Sequence, residues 1–348
     1  MKIIPWLSFY LISLFLFVIY PLETLAQESN QEPMNGFSYQ VIQPENQLNK
    51  DVGYYDLLMK QGQKQKVELI LYNTTKKAFD VSTKLSGAKT NGNGIVEYAP
   101  NDLKEDGSLK YKFTDIVKTS DRVTVPAEGN KTVIVDITMP EDSVEGLIAG
   151  GIQLQLIEEG QNTEKEIIQN KFAYLIGFLL SESDTTAIKP NLKFNEVYSK
   201  VSDGQHTLFL NYSNTRPIFV ENMDVAVKVF KNNLNKELFE IKKSELRMAP
   251  NSMIDFPISL DDKKLVKGEY KVQADVRLPT GENWKWERNF TVTQEDLSTL
   301  SAQKNQMNVD ATNPIYKVLL GVIVVVILVL VMVIILIKRI KSKTQRLS

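Results

Sequence analysis

Cysteine is absent from the 348 residues, and histidine occurs only once. Without cysteine the chain has no disulfides, no thiol nucleophile and no lipid-modified N-terminal cysteine. A serine triad could use only His206, which lies in an alternating strand pattern after a turn, and we interpret it as a strand-end or surface histidine. We therefore predict a protein that is not an enzyme and that carries no cofactor.

The chain also lacks an excess of charge of either sign. The net charge is −1, and the five cations of residues 338–348 leave −6 for the rest. A nucleic-acid-binding protein needs a basic stripe, and the acidic balance of the remaining residues argues against that class of partner.

Long apolar runs are confined to the two ends of the chain. Residues 1–26 combine Lys2, an apolar stretch and the small residues before Gln27, and they are predicted to be a signal peptide. An uncleaved anchor is the alternative. Residues 315–337 are predicted to form a transmembrane helix, because the uncharged run from Val318 to Ile337 spans about 30 Å.

The basic tail, residues 338–348, contains no acidic residue. The positive-inside rule places such a tail in the cytoplasm and everything before the helix outside the cell. We therefore predict a single-pass type I protein of the cell membrane. The polar residues 295–314 are predicted to be a stalk that extends at most about 70 Å, which would hold the exported part close to the membrane.

Between the two ends, apolar and polar residues alternate with the period of two that is typical of half-buried strands. The segments around Val133–Met139, Ile152–Leu156, Val225–Val229 and Tyr270–Leu278 show this pattern, and turn signals separate them. The pattern predicts an all-β protein with two immunoglobulin-like β-sandwich domains in tandem, at residues 35–182 and 189–294.

Four segments imitate chemical or sorting motifs. The acidic pairs Glu158-Glu159 and Asp261-Asp262 could serve glycan hydrolysis, but we interpret them as solvated turns. In Asp102–Gly107 a lysine occupies a ligand position of a calcium loop, so no helix-flanked calcium site is predicted, although an irregular one stays open. Leu278–Gly281 lacks one residue of a sortase signal and is interpreted as a hairpin turn.

Several short motifs, in this order, resemble the WxL-interacting proteins of Gram-positive bacteria. They are Phe37–Val41, Asn46-Gln47, Tyr54–Leu57, Gly62-Gln63, Thr90–Gly94, Val125-Pro126, Met139-Pro140, Gly146, Ala149–Ile152, Tyr174–Gly177, Met248–Ser252, Gly268–Tyr270 and Trp284–Trp286. The resemblance implies a peptidoglycan-binding domain, a host-binding domain, a membrane helix and a basic tail. The chain does not resemble a WxL protein itself, since no tryptophan has a leucine two positions later. Ala149 replaces a leucine that is frequent in the family.

Aromatic and turn residues are the candidates for partner binding. Tyr54 and Tyr55 are adjacent, so one ring is expected to face the core and the other outward. Trp284 and Trp286 share one face of the last strand, where core packing is the alternative. Asn91 and Asn93 belong to an Asn-Gly repeat that could be a binding loop or a hairpin turn.

Three functions follow as hypotheses. The leading one is an adaptor at the boundary of membrane and cell wall, and the resemblance implies WxL-domain proteins, peptidoglycan and host matrix components as its partners. β-strand addition at an open sheet edge is the expected binding mechanism. The alternatives are a wall-modifying hydrolase and a membrane-held chaperone for secreted subunits.

Overall fold

The structure, a computed structural model, describes residues 36–157, 172–202, 205–231, 236–259, 266–294 and 297–298. The predicted signal peptide, transmembrane helix and basic tail lie outside these residues, as does nearly all of the predicted stalk. None of the helices within the described ranges is long and apolar enough to cross a membrane. The regular structure there is almost entirely strand, which confirms the all-β prediction.

Two sheets make up the first part of the chain. Sheet I has the order β1-β3-β9-β7, and its strands are Phe37–Ile42 (β1), Lys64–Asn73 (β3), Val117–Lys118 (β7) and Gly129–Thr138 (β9). Sheet II has the order β2-β11-β10-β4-β8, and its strands are Tyr55–Leu58 (β2), Phe79–Gly87 (β4), Arg122–Val125 (β8), Leu147–Ile157 (β10) and Ala173–Ser181 (β11). All neighbours are antiparallel except β2 and β11, which are parallel.

Alternation places one hydrophobic core between sheets I and II. In β3, Val67, Leu69 and Leu71 are buried while their neighbours are more exposed, and β9 and β10 repeat this pattern. Burying a leucine or valine side chain fully contributes about 1.5–3 kcal/mol. The two sheets therefore pack face to face as a β-sandwich.

A second pair of sheets follows. Sheet III has the order β12-β13-β16, with Leu192–Ser202 (β12), Gln205–Asn214 (β13) and Ser252–Ser259 (β16). Sheet IV has the order β15-β14-β17-β18, with Val220–Lys231 (β14), Lys236–Met248 (β15), Gly268–Arg277 (β17) and Asn283–Val292 (β18). A separate hydrophobic core, including Tyr212, Val227 and Phe256, lies between them.

The two sandwiches fall within the predicted ranges 35–182 and 189–294. Those domain limits, and the immunoglobulin-like character of each sandwich, stay predictions. Leu278–Gly281 forms the turn between β17 and β18, where the Leu278 amide donates to the Glu282 carbonyl at 2.9 Å, so the hairpin interpretation is confirmed.

One connection is much longer than the others. Residues 88–112, which we call the strap, join β4 to a single helical turn, Phe113–Ile116 (α1). The strap contains a two-stranded hairpin of Lys89–Thr90 (β5) and Val96–Glu97 (β6). It leaves the first sandwich and lies against the second.

Candidate binding surfaces at the junction of the sandwiches

The Asn-Gly repeat forms the turn of the strap hairpin. The side-chain oxygen of Asn91 accepts hydrogen bonds from the amides of Asn93 at 2.9 Å and Ile95 at 3.2 Å, and its amide donates to Glu97 at 2.6 Å. Gly94 has φ +70°, a left-handed conformation that favours glycine. The hairpin-turn interpretation is therefore confirmed, and the Asn91 side chain stabilises the turn through these hydrogen bonds.

This hairpin docks on the second sandwich. A Cβ atom at Gly92 would lie 2.7 Å from the carbonyl oxygen of Asp255, and one at Gly94 would lie 2.5 Å from Leu246. The amide of Arg247 donates to the Gly94 carbonyl at 2.8 Å. Both glycines thus permit a close approach between the strap and sheets III and IV.

Polar contacts fix the rest of the junction. The hydroxyl of Thr90 lies 2.6 Å from that of Ser252 and accepts the Ala249 amide at 2.9 Å. Near the other end of the strap, the buried carboxylate of Asp106 accepts a hydrogen bond from the Ser213 hydroxyl. Because buried polar groups must be satisfied, these bonds hold the two sandwiches in one relative position.

A pair of glycines shapes the outer face of sheet II. Gly151 in β10 lies directly opposite Gly177 in β11. A Cβ atom at Gly151 would lie 2.8 Å from the Cβ of Tyr98, and one at Gly177 would lie 3.7 Å from the Cβ of Tyr54. Two tyrosines from outside the strands therefore cover a flat strip of backbone; we call this the Tyr54–Tyr98 surface.

The adjacent predicted residue, Tyr55, points the other way. Its ring is buried in the core 4.6 Å from that of Phe178, and its hydroxyl donates to the Glu68 carbonyl at 2.6 Å. Burial raises the pKa of Tyr55. The sequence predicts that one ring of this pair faces the core and the other outward, and the ring in the core is that of Tyr55. Tyr54 precedes β2 and is half-buried, and it also packs against the core.

The second sandwich contributes charge to the Tyr54–Tyr98 surface. Arg247 forms a bidentate ion pair with Glu221, with N–O distances of 2.5 and 2.7 Å, and it interacts electrostatically with both tyrosines. Burial raises the pKa of the Tyr98 hydroxyl, so this group stays a hydrogen-bond donor at neutral pH. The surface therefore offers two aromatic rings, a hydroxyl donor and a guanidinium.

A cleft of about 530 Å³ lies on the other side of the strap and is lined by both sandwiches. Tyr111 and Lys89 line it from the first sandwich, and Arg216 and Asn251 line it from the second. The Tyr111 hydroxyl is buried, and the Lys110 ammonium lies 4.6 Å from the centroid of the Tyr111 ring.

The two tryptophans that were candidates for partner binding pack against the second hydrophobic core. Trp284 and Trp286 are half-buried and pack against it, and the Trp286 ring centroid lies 5.2 Å from that of Tyr212. The core-packing alternative accounts for these contacts. Asn93 is exposed, and its side-chain oxygen accepts a hydrogen bond from Lys243 of the second sandwich at 3.3 Å.

The segments tested for chemistry give no site in the part of the chain that can be described. Glu158-Glu159 and Asp261-Asp262 lie outside it, and His206 is placed only as a residue of β13 paired with Val201. Asp106 is occupied by hydrogen bonds from Ser108 and Ser213. No group of three or more histidine, aspartate or glutamate side chains suited to a metal occurs among the described residues.

Sequence reasoning missed Tyr98 and Arg247. Both come from segments whose position depends on the docked strap, and no local pattern marks them. The one available signal was the presence of Gly151 and Gly177 inside two otherwise apolar strands, because a strand glycine often marks a close approach by another group.

The fold defines an all-β protein with two sandwiches joined by the strap. Comparison with protein families gives the same order of domains. Residues 37–156 match the WxL Interacting Protein, peptidoglycan binding domain, and residues 163–302 match the WxL Interacting Protein, host binding domain. The chain belongs to the WxL-interacting protein family, whose two domains are binding domains rather than enzymes.

Solved structures give only distant similarities, from which no function is drawn. The CupB2 chaperone of Pseudomonas aeruginosa is 12% identical, covering 64% of this chain and 91% of its own, with a TM-score of 0.26. The SafB chaperone with the SafA pilin of Salmonella enterica is 8% identical, covering 67% and 98%, with a TM-score of 0.25. A search of the curated proteins found no match.

Proposed function

We propose that this protein is a cell-surface adaptor that binds WxL-domain proteins and peptidoglycan, with host matrix components as a further partner class. In this proposal residues 315–337 anchor it in the membrane, and both sandwiches face the cell wall. Membership of the family supports the partner classes. The docked strap supports the role, because it joins the two sandwiches and thereby the surfaces that they carry.

The observation that carries the proposal is the edge position of β1, which among the described residues pairs with β3 alone. The Thr74 amide donates to the Gly36 carbonyl at 2.9 Å, and in this register Ser38, Gln40 and Ile42 also face β3. The backbone groups of Phe37, Tyr39 and Val41 consequently face away from the sheet. The Phe37 carbonyl accepts the Tyr174 hydroxyl at 2.9 Å, which agrees with this direction.

The sequence of β1, Phe-Ser-Tyr-Gln-Val-Ile, contains no charge and no proline. Natural edge strands are usually protected against pairing by lysine, proline, bulges or short length. The edge strand β18, by contrast, carries Lys285, Glu287 and Arg288. An unprotected edge of six residues therefore suits the addition of an extended strand from a protein partner.

Peptidoglycan binding is proposed for the Tyr54–Tyr98 surface of the first sandwich. A wall polymer presents sugar rings, amides and carboxylates. Tyrosine rings can lie against sugar faces, and the Tyr98 hydroxyl can donate a hydrogen bond to an amide or carboxylate oxygen. The two proposed surfaces use different residues, so both partners can bind at once.

Capture by the purified full-length chain tests the proposal. In detergent, it should retain both a WxL-domain protein and purified cell-wall sacculi. The substitution Val41→Pro removes one outward amide of β1 and should lower retention of the WxL-domain protein at least tenfold, without changing retention of sacculi.

The matched control is Asn289→Pro on β18, the edge strand of sheet IV. In the register of the β17–β18 hairpin, the backbone amide of Asn289 faces away from β17, as that of Val41 faces away from β3. This variant should bind like the unsubstituted protein. Equal losses in the two proline variants would overturn the assignment to β1. Release of soluble wall fragments during the incubation would instead favour the hydrolase hypothesis.

A further inference from the structure

A second groove lies between the strap and the outer face of sheet III. It has a volume of about 890 Å³ and is lined by both sandwiches. It uses neither β1 nor the Tyr54–Tyr98 surface, so its function is separate from the adaptor role proposed above.

An irregularity in β12 directs one side chain toward the outer face of sheet III, which borders the groove. The pairing of β12 with β13 shifts between Phe194 and Glu196, which makes Asn195 the extra residue of a β-bulge. The Asn195 amide donates to Asn211 at 2.7 Å and to Ser213 at 2.8 Å. Its side-chain oxygen accepts no hydrogen bond from the described residues, so this acceptor is available.

A polar network continues across the sheet from Asn195. Asn211 donates to the Asp255 carboxylate at 2.7 Å, and Ser213 donates to Asp106 of the strap. Asn211, Ser213 and Asp106 are buried although they lie on the outer face, because the strap covers them. A network of this kind fixes the orientation of each side chain before any ligand arrives.

One aromatic residue, Tyr198, lines the groove, and Phe209 supports it from the neighbouring strand. The rings of Tyr198 and Phe209 are stacked, with centroids 5.4 Å apart and an interplanar angle of 17°, and the Lys200 ammonium lies 4.5 Å from the Phe209 centroid. Burial is the main reason that the pKa of Tyr198 is raised, and hydrogen bonding to Asp255 is the second. The phenol therefore stays protonated at neutral pH.

The charges that line the groove are balanced. Three lysines and three carboxylates contribute, namely Lys104, Lys193, Lys200, Asp106, Glu196 and Asp255. A balanced site gives little net attraction to an anion or a cation. Amide and carboxylate acceptors beside hydroxyl donors instead match a ligand rich in hydroxyl groups.

We propose that the groove between the strap and sheet III, with Asn195, Asp255 and Tyr198 as its main contacts, is a binding site for a neutral oligosaccharide. Sugar hydroxyls donate to the side-chain oxygen of Asn195 and to the remaining lone pairs of the Asp255 carboxylate. The apolar face of a sugar ring packs against the ring of Tyr198. Both sandwiches contribute, so the site depends on their docked arrangement.

Calorimetric titration of the full-length chain, in a zwitterionic detergent without a sugar head group, tests this inference. The neutral probes are chitotetraose and maltotetraose, and the anionic probes are sialyllactose and a heparin tetrasaccharide. At least one neutral probe should bind more tightly than both anionic ones. Asn195→Ala and Asp255→Asn should each weaken that binding at least tenfold.

Gln273→Ala is the matched control, since Gln273 makes a similar surface hydrogen bond to Glu287 at 2.7 Å on sheet IV. It should leave the affinity unchanged. Asn195 is exposed on an edge strand, so its variant should fold even if Asp255→Asn does not. Absence of binding by both neutral probes, tighter binding of an anionic probe, or equal affinity in Asn195→Ala would overturn the proposal. Capture of a WxL-domain protein through β1 should be unaffected by either groove variant.

Discussion

The hydroxyl groups of Thr90 and Ser252 lie 2.6 Å apart, although the two residues belong to different sandwiches. The Thr90 oxygen also accepts the Ala249 amide, and both hydroxyls are buried. This contact joins the two halves of the molecule through a loop of the first, rather than through the segment that links them along the chain.

Removing this hydroxyl should weaken the junction. Thr90→Val keeps the shape of the side chain but leaves the buried Ala249 amide unpaired, which costs about 1–3 kcal/mol. Urea unfolding followed by tryptophan fluorescence should show this loss. The exposed Thr132 provides the control, and Thr132→Val should stay within about 0.5 kcal/mol of the unsubstituted protein. Equal midpoints for both variants would contradict a structural role for the Thr90 contact.

Gly150 should not tolerate a larger residue. A Cβ atom there would overlap the ring of Phe113, which packs into the core beneath β10. Gly150→Ala should therefore destabilise the first sandwich by about 1–3 kcal/mol through overpacking. Gly107, whose Cβ would meet no atom within 4 Å, offers the matched substitution Gly107→Ala. A small effect in both variants would show that Phe113 can move aside freely.

Acid should destabilise the folded protein in part by protonating Asp80. The hydrogen bond from Thr124, and then the bond and charge of Arg122, lower the pKa of this carboxyl below its usual value of 3.8. A lowered folded-state pKa adds stability above the unfolded pKa, and this stability disappears as the pH falls through the folded value. Unfolding midpoints measured from pH 7 to pH 2 should therefore fall less steeply for Asp80→Asn. Thr124→Val, which removes the strongest cause of the shift, should give an intermediate slope. Identical slopes in all three proteins would refute this assignment.

Trp286 should prove to be a structural residue. Its half-buried ring lies 5.2 Å from Tyr212 and 6.0 Å from Phe194, between centroids. Trp286→Ala should lower the free energy of unfolding by about 1–3 kcal/mol, less than for a fully buried ring. Binding of sacculi and of a WxL-domain protein, measured well below the new melting temperature, should be retained. If the Trp286→Ala variant were fully folded and still lost binding, Trp286 would be a contact residue for the partner.

The strand pattern was predictable because alternation acts over a few neighbouring residues. Val67, Leu69 and Leu71 face the core for the same reason that Tyr270, Val272 and Ala274 do. The turn at Leu278–Gly281 was equally local.

The binding surfaces were less predictable, because they depend on contacts between distant parts of the chain. Asn91–Gly94 was recognisable as a turn, but its docking on Leu246 and Asp255 brings together residues about 150 positions apart. Tyr98 reaches Gly151 only through that docking. Asn195 gives no sequence signal, since its orientation arises from a bulge in strand pairing.

Photocrosslinking in intact cells tests the adaptor role most directly. A photoreactive amino acid at position 41, on the edge strand β1, is compared with the same group at position 289 on the edge strand β18. The proposed function predicts a crosslink from position 41 to a WxL-domain protein, none from position 289, and loss of the first when Tyr39→Pro is added. No crosslink from position 41, or the same product from both positions, would contradict it.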